Sequence, residues 1–246
     1  MPAPSLADRI GDILPLSTSE RAALGQLTER ERAIRRGATL LRENDRSTEL
    51  FVLKSGMMMA YLLLDDGSRQ ILRFVFPGDL VGTSAIIWGK AQQTLVAVAD
   101  SVMAPIDRTQ VVDLVARFPR LGVALFALDQ VDRAMLADRL AGVAKTSARA
   151  RIAAVLLEIR DRMRRCDPAI GDSFMPGLTQ EEIGDATGLT AVHVNRMLRQ
   201  LEDQKLIART GGLFTILNEP LLRRAANHVD RHAEVDLSWL PELRAP

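Results

Sequence analysis

Residues 179–203, TQEEIGDATGLTAVHVNRMLRQLED, carry side chains whose types and spacing could read DNA. Val192, Asn195, Arg196 and Arg199 fall on one stripe if the second half of the stretch is helical. The planar fork of an arginine can meet guanine O6 and N7 together, and asparagine can do the same for adenine N6 and N7. The stripe therefore predicts contacts with base edges and phosphates in a major groove.

The elements that must position this stripe are two short helices and the turn between them. Thr190 is a good N-cap, and Val194, Leu198 and Leu201 follow at i, i+4 and i+7, which predicts a buried face opposite the stripe. Thr190, with His193 near the helix start, is also placed for phosphate contacts, where the helix dipole assists.

The preceding helix is predicted over residues 180–187 and is held by Ile183. Gly184 would let the two helices approach closely, and Gly188 lies where the turn needs a left-handed backbone. A short turn containing glycine between two helices is typical of the helix-turn-helix, whose second helix enters the major groove.

The segment LIARTGGLFTILN, residues 206–218, predicts two short strands joined at Gly211–Gly212, with Arg209 at the base. Such a hairpin directly after the second helix is typical of a winged helix. The alternative is that the polar stripe is only the solvated side of a packed surface helix. Residues 145–232 hold 14 Lys/Arg against 11 Asp/Glu, a difference of +3, so a DNA-binding face must be segregated from its acidic neighbours.

Composition narrows the class of protein. With 246 residues, 47% of them hydrophobic, the chain can form two domains, and no export signal or membrane span is expected, which predicts a cytoplasmic protein. One cysteine, Cys166, excludes an internal disulfide. No nucleophile elbow, phosphate-binding glycine loop or zinc motif occurs, so we expect neither an enzyme nor a bound cofactor or metal. A protein-interaction module is the other alternative.

The first half of the chain predicts a helix over residues 17–30 and then strands. Glycine-punctuated apolar runs occupy residues 37–107, and Asp66–Gly67 between two of them predicts a hairpin turn with positive φ angles. Strands at this spacing, with no helical pattern between them, indicate an antiparallel sandwich or barrel.

After Pro119 the apolar spacing predicts one long helix over residues 119–144, followed by a polar hinge at residues 145–147. An apolar stripe on this helix predicts a homodimer contact, although packing against its own β domain would also bury the stripe. The stripe comprises Leu121, Leu125, Leu128, Val131, Asp132 and Met135. Beyond the hinge, ARARIAAVLLEIRDRMRR predicts a helix with an apolar side and arginines mostly on the other side.

This order of elements resembles the CRP/FNR superfamily (cyclic-AMP receptor protein and fumarate-nitrate regulator) of bacterial transcription regulators. The motifs that carry the resemblance are PGDLVG, LFVLKSG and EEIGDATGLTAVHVNRMLRQLEDQKLI. It implies an α+β fold with a cyclic-nucleotide-binding-like β-roll sensor (jelly roll) over residues 1–118, a dimerisation helix over 119–144 and a winged helix-turn-helix domain over 145–246. It further implies double-stranded DNA and RNA polymerase as partners.

The resemblance assigns roles to individual residues. The major-groove arginine of the family falls on Arg196, and the other base-reading positions fall on Ala191 and Val192. The phosphate-contacting positions fall on Gln180, Thr190, His193 and Arg199. Many members carry a glutamate where this chain has Val192, and valine cannot accept a hydrogen bond from cytosine. It can contact a thymine methyl group, so a different half-site is expected.

The candidate ligand pocket departs further from the family. The family positions for a ribose-binding glutamate, a phosphate-binding arginine and a serine fall on Thr83, Gln93 and Thr94, with Ser84 beside them. A buried phosphate without its arginine loses a charge-assisted contact, so cyclic AMP in the usual mode is not expected. An apolar ligand or a filled core remains, and we favour the filled core. The predicted lining is Ile71, Val81, Ile86, Ile87, Val96 and Val98.

Other sensing chemistry finds little support in the sequence. One cysteine cannot hold the iron–sulfur cluster of some members, and none of the three histidines lies in the sensor to hold haem. Cys166 beside two arginines could be oxidisable, but an inert thiol is favoured. His228 and His232 could chelate a metal, but a solvated tail is favoured.

Overall fold

A computed structural model describes residues 3–231 and 235–240. The α+β fold, with strands first, a long helix next and a helical third with a small hairpin last, is confirmed. The helices are α1 (Leu6–Gly11), α2 (Thr18–Leu27), α3 (Ser84–Trp88), α4 (Arg108–Arg117), α5 (Pro119–Lys145), α6 (Ala148–Cys166), α7 (Gln180–Thr187), α8 (Ala191–Asp203) and α9 (Glu219–Ala226).

Seven of the eight N-terminal strands fall within the predicted β region, and one precedes it. They are β1 (Arg32–Ile34), β2 (Thr39–Leu41), β3 (Glu49–Ser55), β4 (Met58–Leu63), β5 (Arg69–Val75), β6 (Leu80–Val81), β7 (Thr94–Ala97) and β8 (Ser101–Asp107). The remaining strands are β9 (Ser173–Phe174), β10 (Ile207–Thr210) and β11 (Leu213–Ile216).

The chain divides into two compact units, and the division falls within α5. The N-terminal unit holds Pro2–Met58, Val75–Met135 and the tail from Arg231, over their described residues. The C-terminal unit holds Met59–Phe74 and Leu136–Asp230, so the β4–β5 hairpin belongs to it. The domain boundaries inferred from the sequence remain a prediction.

The N-terminal unit is built on an antiparallel sheet of order β1-β8-β3-β6. Leu50 pairs with Ile106 and Val52 with Ala104 across β3 and β8, and all four side chains are buried. Strand side chains alternate between faces, so these residues line one face of the sheet. Helices α1, α2, α4 and the start of α5 pack on that face and complete the core.

The first two helices are fixed by reciprocal capping. Ser17 accepts a hydrogen bond from the Glu20 N–H, and the Glu20 carboxylate accepts one from the Ser17 N–H. The same capping box joins Ser5 and Asp8 at the start of α1. Each arrangement satisfies two backbone N–H groups that the first turn of a helix leaves without partners. Sequence reasoning missed α1, because six residues are too few to show an apolar period.

The turn between β4 and β5 differs in detail from the prediction. Gly67 has a φ of +83°, whereas Asp66 is not in the left-handed region. The Asp66 carboxylate instead accepts hydrogen bonds from the N–H and hydroxyl of Ser68, and the Gly67 N–H donates to the Leu64 carbonyl. A side chain that mimics a backbone turn replaces the second positive-φ residue.

The C-terminal unit contains two elements that the sequence did not predict. Strand β9 lies in the segment after α6 that the sequence predicts only as a helix break, and it pairs with β11 so that Phe174 lies opposite Phe214. The two rings stack with centroids 5.9 Å apart. Helix α9 follows the hairpin, with Asn218 as its N-cap. The small sheet therefore has the order β10-β11-β9 and a stacked aromatic pair as its centre.

Candidate nucleic-acid interface

The helix-turn-helix begins with a capping box on α7. Thr179 accepts from the Glu182 N–H at 3.1 Å, and the Glu182 carboxylate accepts from the Thr179 N–H at 2.7 Å. The helix ends at Gly188, whose φ of +66° is the left-handed conformation of a glycine C-cap. Thr190 then caps α8 by accepting from the His193 N–H. The predicted bounds of α7 and the predicted start of α8 are confirmed.

Gly184 is required by a close approach between the helix and the turn. A Cβ at this position would lie 2.3 Å from the Leu189 carbonyl oxygen. The Leu189 N–H donates to the Gly184 carbonyl at 3.0 Å, which draws the turn onto the helix. Glycine is the residue without a Cβ, so it alone permits this contact.

The buried face of α8 is the one that its apolar spacing predicts. Val194, Leu198 and Leu201 are each 0% exposed, and Ile183 on α7 is also buried. Full burial of an aliphatic side chain contributes about 1.5–3 kcal/mol. Burial on this scale fixes the rotation of α8 about its axis and so determines which side chains face outward.

The outer face of α8 carries the side chains that the sequence singled out. Val192 is 83% exposed, Arg196 and Arg199 are exposed, and Asn195 is half-buried beside them. Arg196 makes no hydrogen bond or ion pair with any residue in the described part of the chain. A large apolar side chain and an unengaged guanidinium on one solvent-facing stripe are available to an external partner.

The remaining predicted DNA contacts lie at the two helix starts. Gln180 is exposed in the first turn of α7, Thr190 is exposed at the N-cap of α8, and Ala191 and His193 are half-buried in the first turn of α8. The N-terminus of a helix presents unpaired N–H groups and a partial positive charge, which suits phosphate.

Arg209 on the wing is engaged within the chain. Its guanidinium lies 2.7 Å from the Glu202 carboxylate on α8, and this hydrogen bond, more than any other influence, lowers the pKa of Glu202. The wing tip itself consists of Gly211 and Gly212, both with positive φ. Arg209 therefore ties the wing to α8 instead of extending toward a ligand.

The helix-turn-helix is supported by a buried ionic cluster between α6 and α9. Arg160 is 0% exposed, with its guanidinium 2.7 Å from Glu219 and 2.8 Å from Asp161. Arg223 also pairs with both carboxylates at 2.7 Å, and His228 lies 3.3 Å from Asp161. The sequence predicts that the arginines of α6 lie mostly on the side opposite its apolar face, and the structure buries two of them, Arg160 and Arg162.

The cluster keeps its carboxyl groups ionised. Burial raises the pKa of Asp161, but hydrogen bonds from His228 and Arg223 and the charge of Arg160 outweigh it and lower the pKa to about 2. Glu219 also has a pKa of about 2, chiefly because Arg160 donates a hydrogen bond to it. No local sequence signal marks Arg160, because Glu219 is 59 residues further along the chain.

Part of the predicted dimer stripe on α5 is buried within the chain. Leu121 and Val131 are buried, and Leu125 and Leu128 pack against the core of the N-terminal unit. Asp132 and Met135 are half-buried. Side chains that are buried within one chain have no surface left for a partner. The alternative that the stripe packs against its own domain therefore holds for Leu121, which belongs to the core of the N-terminal unit.

The opposite side of α5 is exposed and partly apolar. Phe126 is 63% exposed, Leu136 42% and Leu140 70%. Together with Asp129 and Arg133, which are also exposed, they fall on one stripe of the helix. Sequence spacing could not tell this stripe from the buried one, because both repeat every three or four residues.

One of the four candidate ligand positions, Thr94, is engaged within the chain. Thr94 is buried on β7, and its hydroxyl accepts a hydrogen bond from the Glu43 N–H at 3.1 Å. Thr83, Ser84 and Gln93 are half-buried. The suggestion that Ile87 lines a pocket is wrong, since its side chain is 73% exposed at the end of α3.

Among residues 3–231 and 235–240, no group of three or more His, Cys, Asp or Glu side chains is arranged to hold a metal ion. His228 contacts Asp161, whereas His232, the other half of the suggested pair, lies outside the described residues. No helix in the described part of the chain combines the length and apolarity needed to cross a membrane.

Two family models match the chain. The cyclic nucleotide-binding domain matches residues 31–118, and the Crp-like helix-turn-helix domain matches residues 150–225. Proteins named fumarate and nitrate reduction regulatory protein, from Escherichia coli and Vibrio cholerae, are 28% identical to it over 215 and 213 residues. These matches cover 87% and 86% of this chain and 85% and 84% of the relatives.

Solved structures agree on the fold. FixK2 from Bradyrhizobium japonicum aligns with a TM-score of 0.73 at 23% identity, over 80% of this chain and 96% of its own. A CooA variant from Carboxydothermus hydrogenoformans aligns with a TM-score of 0.69 at 19% identity, over 92% and 98%. The matched families and relatives are transcription regulators and not enzymes. The chain belongs to the CRP/FNR family of transcription regulators and carries that family's helix-turn-helix DNA-binding domain.

Proposed function

We propose that the protein binds an inverted-repeat promoter site in cytoplasmic DNA as a homodimer, with α8 in the major groove and Arg196 reading a guanine. The observation that carries the proposal is the outer face of α8, where Val192 and Arg196 are exposed on a helix whose other side is fully buried. An exposed arginine fork at this point suits guanine O6 and N7.

The neighbouring positions complete the reading surface. Val192 contacts a thymine methyl group, Asn195 suits adenine, and Ala191 allows a base edge to approach closely. The phosphate contacts are made by Gln180, Thr190, His193 and Arg199, which set the register of the protein on the duplex without reading sequence.

A homodimer would place two copies of α8 on successive major-groove faces. The exposed stripe of α5, formed by Phe126, Asp129, Arg133, Leu136 and Leu140, is the contact we propose between the two chains. We propose it in place of the stripe inferred from the sequence, because Leu121 and Val131 of that stripe are buried within the chain. Half-sites in such a dimer are about one helical turn, 34–36 Å, apart.

Selection of bound genomic fragments tests the DNA-binding proposal. The selected fragments should share an inverted repeat, and binding should weaken steeply between about 50 and 200 mM salt, because several phosphate contacts release counterions. Affinity that is flat over that range, or fragments without a common sequence, would contradict it. The alternative is that an unusual ligand controls the sensor. A parallel selection with added cell extract tests this alternative, because a diffusible effector in the extract would change the set of bound fragments.

The dimer contact has its own test. Leu140→Asp should convert the dimer to a monomer in sedimentation, because a charge would be buried without a partner at the contact. Val112→Asp on α4 is the matched control, since Val112 is similarly exposed, at 63%. Equal effects of the two variants would contradict the assignment.

RNA polymerase is the proposed partner at the promoter, and a transcription assay with purified polymerase tests it.

A further inference from the structure

The β4–β5 hairpin contacts the first helix of the helix-turn-helix within the C-terminal unit. The Arg69 guanidinium forms an ion pair with the Asp185 carboxylate on α7, with 2.7 Å between nitrogen and oxygen. The next residue, Gln70, donates its amide N–H to the Asp185 backbone carbonyl at 2.9 Å. Two adjacent residues of β5 thus hold one residue of α7 by its side chain and by its backbone.

The Arg69 side chain is oriented by its own hairpin. Its guanidinium lies over the Tyr61 ring of β4, 5.5 Å from the centroid. Arginine over an aromatic face is attracted by the ring quadrupole, and the contact limits the rotamers of a long side chain. The fork is therefore partly ordered before it meets Asp185, which lowers the entropy cost of the ion pair.

Asp185 depends on this contact. Burial raises the pKa of its carboxyl, the charge of Arg69 offsets this only in part, and the nearby Glu181 and Glu182 raise the pKa further. Without Arg69, a partly desolvated carboxylate would face two like charges. The contact therefore opposes any movement that draws α7 away from the hairpin.

Two further arginines connect α6 with the elements around the hairpin and α7. Arg139 on α5 pairs with Glu158 on α6 and lies over the Phe74 ring of β5, 5.7 Å from its centroid. Arg151 on α6 donates to the Thr187 carbonyl at the end of α7, at 2.8 Å. The carboxyl end of α7 is thus held from two sides, while its amino end, with Gln180, is left exposed.

We propose that Arg69 and Gln70 form a positioning clamp, in which a hairpin of the sensor-type β region fixes α7 and so the direction in which α8 is presented. The clamp rests on the DNA-binding function proposed above. With these contacts in place, Val192 is 83% exposed and the outer face of α8 is accessible to DNA. Fixing α7 in advance removes part of the ordering cost of DNA binding.

The clamp is separate from the positions at which the family binds its nucleotide. The position where family members carry a phosphate-binding arginine is Gln93 in this chain, and Thr94 is engaged by the Glu43 backbone. The contacts that Arg69 and Gln70 make with Asp185 involve neither of these positions.

Replacement of Arg69 by glutamine in the full-length protein tests the clamp. Arg69→Gln should weaken binding to the selected DNA site roughly 3- to 10-fold and leave the base preference unchanged, since the contact touches no base. Asp185→Asn should have a similar effect, and the double variant should lose no more than either single variant.

Arg32→Gln is the matched control. Arg32 also forms a surface ion pair, with Glu49 at 3.2 Å, and also lies over an aromatic ring, that of Phe51 at 5.4 Å. It contacts no part of the helix-turn-helix among the described residues. This control variant should bind DNA as the wild type does, and thermal unfolding should show that all variants are folded.

A second measurement separates failure of the clamp from failure of the proposed function. If the wild type binds DNA specifically and Arg69→Gln and Asp185→Asn bind equally well or more tightly, the clamp is wrong and the function stands. If the wild type shows no specific binding, the function fails. In that case, amide hydrogen exchange measured without DNA tests the clamp independently of DNA binding. Arg69→Gln should speed exchange of the α7 amides and Arg32→Gln should not, and unchanged exchange in Arg69→Gln would overturn the clamp.

Discussion

Arg160 on α6 is completely buried among carboxylates, whereas Arg196 on α8 projects from the surface and makes no hydrogen bond or ion pair with the described residues. The two side chains carry the same charge and lie in the same compact unit. A buried guanidinium needs partners from its own chain, because desolvation without them would be prohibitive. An exposed one needs none, so its chemistry stays available to an external partner. Burial, and not residue type, separates the structural arginine from the proposed reading arginine.

Replacing Arg160 should have the largest effect, and the effect should be on stability. Arg160→Met removes the fully buried one of the two arginines that pair with both Asp161 and Glu219, and removing one member of a buried ion cluster costs about 3–5 kcal/mol. Chemical denaturation of the full-length protein measures this loss. Arg149→Met is the control, because Arg149 makes an exposed hydrogen bond to Gln204 and its loss should cost under about 1 kcal/mol. Equal losses would remove the distinction between the two regions.

The same cluster predicts the response to acid. Asp161 has a pKa of about 2 in the folded protein, against an ordinary value of 3.8. A lowered folded-state pKa stabilises the fold above pH 3.8, and this contribution is lost as the pH falls from 3.8 through 2. For Asp161 it amounts to about 2 kcal/mol. The difference between the free energies of unfolding at pH 5 and pH 2.5 measures most of it, since the folded-state carboxyl is still largely ionised at pH 2.5. Asp161→Asn should flatten this part of the profile, and a variant profile as steep as that of the wild type would contradict the assignment.

The sequence predicted the helix-turn-helix well because its signals are local. The N-cap threonines, the glycine at the turn and the apolar spacing of α8 all act within a few residues. Interactions between residues that are far apart in the sequence could not be predicted in this way. Arg160 looked exposed because Glu219 is 59 residues away, and the buried stripe of α5 was indistinguishable from the exposed one without the position of the core. Strand β9 has two residues and shows its role only when it pairs with β11.

Replacing Arg196 should affect DNA binding and not stability. Arg196→Ala should reduce the binding free energy at the selected site by about 1–3 kcal/mol, because a base contact is lost. Non-specific binding should stay largely intact, because the phosphate contacts remain. Titration of specific and random duplexes measures the two affinities. Arg199→Ala provides the contrast, since loss of a phosphate contact should weaken both duplexes alike. If Arg196→Ala weakened binding to both duplexes equally, Arg196 would contact phosphate and not a base.

Val192 should set the preference at a single base pair. Val192→Glu supplies an acceptor for the cytosine amino group in place of a methyl contact to thymine, so the preferred base should change from thymine to cytosine by about 1–2 kcal/mol. Val192→Thr is the matched control, because threonine keeps a methyl group of similar size and should keep the thymine preference. Competition among duplexes that differ at one symmetric pair in both half-sites measures the change. Because Val192 is 83% exposed, neither substitution should alter the free energy of unfolding by more than about 0.5 kcal/mol. A shift in preference with both variants would mean that position 192 acts through the placement of α8 and not through direct base contact.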